Sequence, residues 1–148
     1  MSICYLGLGS NLDSPKRQLN CAIQEIKKIP KTSLLKKSLI YQTKPMGKGF
    51  QPGYCNQVVM IKTRLLPNQL LAYCQMLEKK QRRVKKRAWG PRTLDVDILL
   101  YGSLKIKHNH LKIPHPGILY RDFVLKPLLE INPDIKWHDN QYIHDLIG

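Results

Sequence analysis

The chain has 148 residues, of which 43% are hydrophobic, and its 25 lysines and arginines against 10 aspartates and glutamates give a formal charge of +15. Such a length suits one domain with a buried core, so we expect residues 1–148 to form a single domain. No apolar run is long enough for a membrane span or a secretory signal, which predicts a cytoplasmic protein with no membrane partner. The charge indicates either an anionic partner, for which nucleic acid is the first class to consider, or a host whose proteins are generally basic.

The first half of the chain predicts two strands around a helix, followed by a loop. Ile3–Leu8 is short and apolar, as in a strand, and the GLGSN segment after it predicts a turn. Ser14 and Pro15 predict a helix start, with apolar residues at helical spacing behind them. Ser33–Tyr41 predicts a second strand. Residues 43–54 contain three glycines and two prolines, which predict a long loop of the kind that often carries function.

The second half predicts strands that alternate with helices. Cys55–Arg64 alternates in the manner of a strand, and Pro67 opens a second amphipathic helix. Leu94–Tyr101 is the most apolar strand, a short hairpin is expected around Ile106–Ile113, and a helix at about Ile118–Glu130. The order β-α-β-β-α-β predicts an α+β fold of the ferredoxin-like type, an antiparallel sheet with helices on one face and a C-terminal hairpin and helix as an extension.

The four cysteines predict neither a zinc site nor a redox pair. Cys4, Cys21, Cys55 and Cys74 are widely spaced, and each lies in an apolar pattern. We therefore expect four reduced cysteines in the core.

The segment EKKQRRVKKR, residues 78–87, concentrates seven basic residues beside a single glutamate. A run of this kind is typical of a solvated helix face or of a mobile loop, and composition alone does not choose between these structures and a functional role.

Two aspartates stand one residue apart in the segment GPRTLDVDILLYG, residues 90–102. On a strand Asp95 and Asp97 share one face, with Cβ atoms roughly 6 to 7 Å apart. The desolvation of an unpaired carboxylate in such a strand would cost several kcal/mol, so an ion pair with Arg92 or a metal must balance the two charges. Hard oxygen ligands and the lack of a Cys/His cluster favour Mg²⁺ over zinc, with phosphates of a bound polyphosphate as further ligands.

The segment GPRTLDVDILLYG resembles the signature of the 6-hydroxymethyl-7,8-dihydropterin pyrophosphokinases, enzymes of folate biosynthesis. LGLGSN, YQTKPMG, QPGYCN, RAWGPR and RDFVLKPL follow in the order of that family. The resemblance implies a ferredoxin-like pyrophosphokinase domain that transfers the β,γ-pyrophosphoryl unit of ATP to the hydroxymethyl group of the dihydropterin and releases AMP. It implies small-molecule substrates, no nucleic acid and a monomer.

The same resemblance implies a role for individual residues. Asp95 and Asp97 would bind two Mg²⁺ ions with ATP, and Arg83 and Arg92 would be the catalytic arginines, in contact with the nucleotide. The pterin would be bound by Thr43, Met46, Tyr54, Asn56, Trp89 and Phe123. Further ATP contacts would come from Gln75, Glu78, Ile98, Lys112, His115 and Arg121.

Several residues differ from the family's usual pattern. Arg82 stands in place of a glycine, and the basic loop before Trp89 is about one residue short. Other departures are Lys44, Lys85, His110 and Lys112. Because none of them replaces the carboxylates or the two arginines, we expect the chemistry to survive and substrate affinities to shift.

Two other classes of function compete with this interpretation. An RNA-recognition module needs exposed aromatic residues on its central strands, but Phe and Trp together number four, 2 of each. Another Mg²⁺-dependent phosphotransferase or a nuclease would use the aspartates while leaving Tyr54, Asn56 and Phe123 without a role.

Overall fold

A computed structural model describes residues 1–11, 14–43, 54–84, 94–137 and 140–147, with the backbone alone at 43 and 82–84. Its strands are β1 Ser2–Ser10, β2 Thr32–Lys37, β3 Tyr41–Thr43, β4 Tyr54–Thr63, β5 Asp95–Tyr101, β6 Ile106–Lys107 and β7 Lys112–Ile113. Its helices are α1 Pro15–Ile26, α2 Pro67–Val84, a 3-10 turn Ile118–Tyr120, α3 Asp122–Ile131 and α4 Ile143–Leu146. The predicted α+β class is confirmed.

The main sheet is antiparallel, with the order β2-β4-β1-β5 and with β3 paired to β4. The strands β6 and β7 form the predicted hairpin beside it. Strands β1 and β4 therefore lie in the middle, and β5 pairs with β1 along one side. Of the helices that the structure describes, none is both long enough and apolar enough to cross a membrane.

One face of the sheet is covered by α1 and α2. Proline at the start of each helix suits the first helical position, where no hydrogen-bonded N–H is needed. The apolar stripes of both helices then pack on the strands, as the helical spacing predicted. The buried residues of this cluster include Leu19, Ile23 and Ile26 of α1, Leu70 and Cys74 of α2, and Leu6, Val59, Ile61, Val96 and Ile98 of the strands.

The opposite face of the sheet is covered by α3, so the helices do not all lie on one side of the sheet. Leu125 and Leu128 of this helix pack in a cluster with Tyr5, Val58 and Leu99 of the sheet. Since β1, β4 and β5 carry apolar side chains on both of their faces, a single helical layer would leave one set in water. The helix α3 supplies the second layer.

The glycines of the GLGSN segment lie inside β1, so the predicted turn there is wrong. The strand continues to Ser10, and Gly7 and Gly9 each pair with residues of both neighbouring strands. Pairing on two sides keeps this backbone extended in spite of the turn preference of glycine.

The strand predicted at Ser33–Tyr41 is interrupted. β2 ends at Lys37, and Ser38 then exchanges two hydrogen bonds with Val58: its N–H donates to the carbonyl at 2.8 Å, and its Oγ accepts from the N–H at 3.0 Å. The chain resumes as β3 against another part of β4. The loop that follows lies, at 44–53, outside the described residues.

Helix boundaries also differ locally from the predictions. Ser14 precedes α1 as expected, but its φ of 58° is left-handed and its side chain makes no capping hydrogen bond. The helix predicted from Ile118 divides at Arg121, whose backbone is extended, into the 3-10 turn and α3. The basic run begins within α2, which continues to Val84, and its remainder lies outside the described residues.

Three of the four cysteines are in the core, and the fourth prediction is wrong. Cys4, Cys55 and Cys74 are buried, whereas Cys21 is exposed on α1. All four are free thiols. Burial raises the pKa of Cys4 to about 12, and burial together with the nearby carboxylates of Glu78 and Asp97 raises the pKa of Cys74 to about 12.

Candidate active site

Residues paired across β4, β1 and β5 form three rows on the face that carries α3. The rows change from apolar to polar toward one end of the sheet, because the strands run past the region where α3 packs. The first row is Met60, Tyr5 and Leu100, the second is Val58, Gly7 and Asp97, and the third is Asn56, Gly9 and Asp95.

The two aspartates point to the same face, as the strand pattern predicted. Asp97 is exposed and Asp95 is partly buried, while Val96 and Ile98 lie in the core on the opposite face. A register irregularity opposite Tyr5 and Leu6 then brings Leu99 and Leu100 together into the α3 core. Two carboxylates on one rigid strand can bind a cation from the same side.

Tyr54 connects β4 to the first of these carboxylates. Its hydroxyl donates a hydrogen bond of 2.8 Å to Oδ2 of Asp95, although β1 lies between the two strands. Gly9 occupies the intervening position. A Cβ atom there would stand 2.9 Å from Cε1 of Tyr54, closer than real Cβ atoms approach, and at a tight 3.1 Å from Oδ1 of Asn56.

Gly9 is thus a site residue that the sequence interpretation missed. The available signal was the spacing of Gly7 and Gly9, which on a strand places both on one face. In a turn, residues two apart do not share a face, so the predicted turn at GLGSN concealed this signal.

Asn56 carries a buried donor without a partner. The residue is 7% exposed, and within the described part of the chain its Nδ2 makes no hydrogen bond. Ser10 Oγ and Asn11 Oδ1, at the end of β1, are also buried and have no hydrogen-bond partner among the described residues. Leaving a buried polar group unpaired costs about 1–3 kcal/mol, so the unpaired Nδ2 of Asn56, on the face of the two aspartates, indicates a place for a polar ligand.

Glu78 holds the backbone between the two aspartates. Its Oε2 accepts a hydrogen bond of 3.0 Å from the N–H of Val96, on the side of β5 that does not face β1. Hydrogen bonds to charged acceptors are stronger than neutral ones, so this contact from α2 stiffens β5 between the two aspartates.

His115 lies near the second aspartate and has a defined tautomer. Its Nδ1 accepts from the N–H of Gly117 at 3.0 Å, which leaves the proton of the neutral ring on Nε2. Burial lowers the pKa of His115, the charge of Asp97 raises it and that of Arg121 lowers it, with a net result below the ordinary value. The imidazole is therefore neutral near pH 7 and offers an Nε2–H donor.

Arg121 and Phe123 are neighbours at the start of α3. The guanidinium carbon of Arg121 lies 6.0 Å from the centre of the Phe123 ring. The side chain of Arg121 also lies over Gly117, where an added Cβ would come within 2.9 Å of Nε. One predicted nucleotide contact and one predicted pterin contact are thereby brought together.

The other predicted residues are distributed as follows. Gln75 and Lys112 are exposed on α2 and β7. The side chain of Ile98 is buried in the core, so that any contact it makes with a nucleotide would come from its backbone. The predictions for Met46, Trp89 and Arg92, including the alternative ion pair of Arg92, lie outside the described residues, as do the side chains of Thr43 and Arg83.

The carboxylate pair fits a cation that takes few protein ligands. Among the described residues, no group of three or more His, Cys, Asp or Glu side chains could hold a metal. An all-protein cage is therefore not formed there, and two carboxylates with further ligands from phosphate and water match the preference of Mg²⁺.

An antiparallel α+β domain with two carboxylates and a buried carboxamide at one end of the sheet has the features of an enzyme that binds a polar small molecule beside a cation. The family model described as 7,8-dihydro-6-hydroxymethylpterin-pyrophosphokinase matches residues 5–133. The chain belongs to this family.

Relatives agree with that assignment over almost the whole chain. The 2-amino-4-hydroxy-6-hydroxymethyldihydropteridine pyrophosphokinase of Haemophilus influenzae is 44% identical over 147 residues, 99% of this chain and 92% of that protein. The enzyme of the same name from Pseudomonas aeruginosa is 39% identical over 144 residues, 97% of this chain and 89% of that protein.

The fold is also found in solved structures. The chain resembles Plasmodium falciparum HPPK-DHPS wild type with a TM-score of 0.73 at 15% identity, covering 99% of this chain and 40% of that one. The chain thus spans less than half of that longer protein, and the similarity concerns the fold alone.

Proposed function

We propose that this protein transfers the pyrophosphoryl group of ATP to 6-hydroxymethyl-7,8-dihydropterin, giving the pterin diphosphate and AMP for folate biosynthesis. Membership of the family supports this activity. The structural observation that carries the proposal is the unpaired, buried Nδ2 of Asn56 beside Tyr54 and the carboxylate pair. A pterin edge presents the acceptors that such a donor needs.

The pterin pocket needs flat apolar walls and amide-type partners, because the substrate is a planar, hydrogen-bonding heterocycle. Tyr54 and Phe123 are proposed to bind the two faces of the ring, and Asn56 its polar edge. Thr43, Met46 and Trp89 complete the proposed pocket on the strength of the family pattern.

For the cation, Asp95 and Asp97 are the proposed ligands of two Mg²⁺ ions. Their shared face and the exposure of Asp97 suit access by a phosphate-bound ion. When bound, Mg²⁺ neutralises phosphate charge and lowers the pKa of the attacking hydroxyl group. The hydroxyl of Tyr54 donates to the side chain of Asp95, and Glu78 accepts from the backbone N–H of Val96 between the two aspartates.

The nucleotide is proposed to lie along the same end of the sheet. Arg83 and Arg92 would bind the transferring phosphates, since planar guanidinium groups donate paired hydrogen bonds to phosphoryl oxygens. The neutral Nε2–H of His115 is a further donor. Gln75, Glu78, Lys112 and Arg121, together with the backbone of Ile98, are the remaining proposed contacts.

The organisation of the chain is part of the proposal. The sheet order and the two helices on one face support the ferredoxin-like arrangement in a single domain with a C-terminal extension. We expect a cytoplasmic monomer with small-molecule substrates and no nucleic acid partner. Light scattering at micromolar concentration tests the monomer, and a dimer mass would contradict it.

The decisive assay incubates the protein with MgATP and 6-hydroxymethyl-7,8-dihydropterin and separates the nucleotides. AMP and pterin diphosphate should appear in equal amounts, and only when both substrates are present. Formation of ADP, or no AMP, would show that the proposed reaction is wrong.

A second test is the variant Asn56→Asp, which keeps the size of the side chain but replaces the donor with an acceptor. It should weaken pterin binding while leaving ATP binding nearly unchanged.

A further inference from the structure

We propose that Tyr54 is a positioning residue for the cation site: its hydroxyl group, reaching across Gly9, orients the carboxylate of Asp95. This inference rests on the proposed function, because it assigns the cation of that reaction to the carboxylate pair. It gives Tyr54 a second role beside the ring contact that family resemblance implies.

The first argument is the path of the side chain. Neighbouring strands are about 4.8 Å apart, so β4 and β5 are separated by roughly twice that distance with β1 between them. Tyr54 nevertheless places its hydroxyl 2.8 Å from Oδ2 of Asp95. Only a residue without a side chain at the intervening position permits this, and Gly9 is paired with both Asn56 of β4 and Asp95 of β5.

The second argument is the direction of the hydrogen bond. An ionised carboxylate is an acceptor only, so the phenol of Tyr54 is the donor. A charged acceptor strengthens the bond and restricts rotation of the carboxylate. The contact therefore favours one orientation of the Asp95 carboxylate.

The third argument is the contrast with Asp97. Asp97 lies in the neighbouring row, beside Gly7, and is exposed, whereas Asp95 is partly buried next to the aromatic ring. The two carboxylates thus differ in exposure. We infer that Tyr54 acts on the first aspartate of the pair.

The test is the variant Tyr54→Phe, which keeps the ring and deletes only the hydroxyl. Binding of Mn²⁺, a paramagnetic substitute for Mg²⁺, is measured by electron paramagnetic resonance in the presence of α,β-methylene-ATP. The expected result is roughly tenfold weaker Mn²⁺ binding, the size of one hydrogen bond to a charged group. Pterin affinity, measured by calorimetry, should change less than about twofold, because the ring is retained.

A matched control is Tyr101→Phe, also next to the central strand. The hydroxyl of Tyr101 donates to the carbonyl of Leu65 in the core on the opposite face. Its removal should lower thermal stability and leave Mn²⁺ binding unchanged. This control distinguishes a loss of stability caused by removing any tyrosine hydrogen bond from a loss of Mn²⁺ binding caused by removing the bond to Asp95.

Gly9→Ala supplies an independent route to the same contact. The added methyl group displaces the ring of Tyr54, so Mn²⁺ binding should weaken, and it also presses on Asn56, so pterin binding should weaken too. In the double variant with Tyr54→Phe, the loss of Mn²⁺ affinity should be smaller than the sum of the single losses.

Mn²⁺ binding by Tyr54→Phe equal to that of the unmodified protein would overturn the inference. Equal losses of Mn²⁺ and pterin affinity would also overturn it, since they would show that the hydroxyl group has no separate effect on the cation site. The unmodified protein is assayed for AMP in parallel. Absence of AMP would refute the proposed function, whereas AMP formation with unaltered Mn²⁺ binding in the variant would refute only the role of the hydroxyl.

Discussion

The two faces of the central sheet are built from the same strands but differ in what covers them. On the α1 and α2 face, buried apolar residues continue along β1, β4 and β5. On the other face, α3 covers Tyr5, Val58 and Leu99, and the polar residues begin with Asp97 in the row of Gly7 and continue with Asn56 and Asp95 in the row of Gly9. One face is therefore a mainly apolar core, and the other is a core at one end and a candidate active site at the other.

The difference shows how a small domain supports polar groups without losing stability. The carboxylates and the carboxamide of Asn56 are carried by strands whose reverse side is held by two helices. Rigidity thus comes from one face and chemistry from the other, an arrangement that favours a preorganised site. If this division is correct, substitutions at the polar end should lower AMP formation, and substitutions in the apolar core should lower the free energy of unfolding.

The largest expected effect is on the polar end. Asp97→Ala should reduce AMP formation by at least about a thousandfold, roughly 4 kcal/mol in activation free energy, because a cation ligand is lost. The side chain is exposed, so the melting temperature should stay close to that of the unmodified protein. Activity of the purified variant within tenfold of normal would remove Asp97 from the cation site.

The next effect is on the apolar face. Leu70→Ala should lower the free energy of unfolding by about 2–5 kcal/mol, because Leu70 is 0% exposed and its truncation leaves a cavity. Leu128→Ala, a change on α3 that packs on the opposite face, should cost a similar amount because Leu128 is also 0% exposed. Urea denaturation measures both. A loss of activity in Leu70→Ala without loss of stability would contradict the division between the faces.

A smaller effect is expected where the faces meet, at the contact between α2 and β5. Glu78→Gln preserves shape but weakens the hydrogen bond to Val96, so the backbone amide of Val96 should exchange faster with solvent and kcat/KM should fall by about five- to tenfold. Hydrogen exchange measured by NMR reports the first quantity. Glu25→Gln, which removes a surface pairing with Lys80, is the control and should change neither.

The smallest effect is electrostatic. The pKa of His115, followed by NMR, should lie below the ordinary histidine value; Asp97→Asn should lower this pKa further and Arg121→Gln should raise it. Because the unfolded chain takes up the proton first, His115 should reduce stability as pH falls below about 6.5. A pKa that is insensitive to Asp97 would place His115 outside the field of the carboxylate pair.

Much of this architecture could be predicted from local patterns. The alternation in β5 correctly placed Asp95 and Asp97 on one face opposite Val96, and the apolar stripes after Pro15 and Pro67 predicted helices that do pack on the sheet. These predictions succeed because the direction of a side chain within one strand or helix follows from backbone stereochemistry.

What failed depended on neighbours that are distant in sequence. The GLGSN segment has the composition of a turn, yet two partner strands keep Gly7 and Gly9 extended, and Cys21 has apolar neighbours in sequence but lies on the outer side of α1. Local preference is weak compared with two-sided pairing and with the choice of the face that is buried.

The sequence by itself determined the family, the carboxylate pair and the residue types suited to a pterin and a nucleotide, since these depend on motifs and on periodicity within single elements. Only the tertiary structure decided that Tyr54 reaches Asp95 over Gly9 and that Glu78 holds Val96. Those contacts join residues from different elements, and their existence depends on strand order, register and helix packing, which no local pattern specifies.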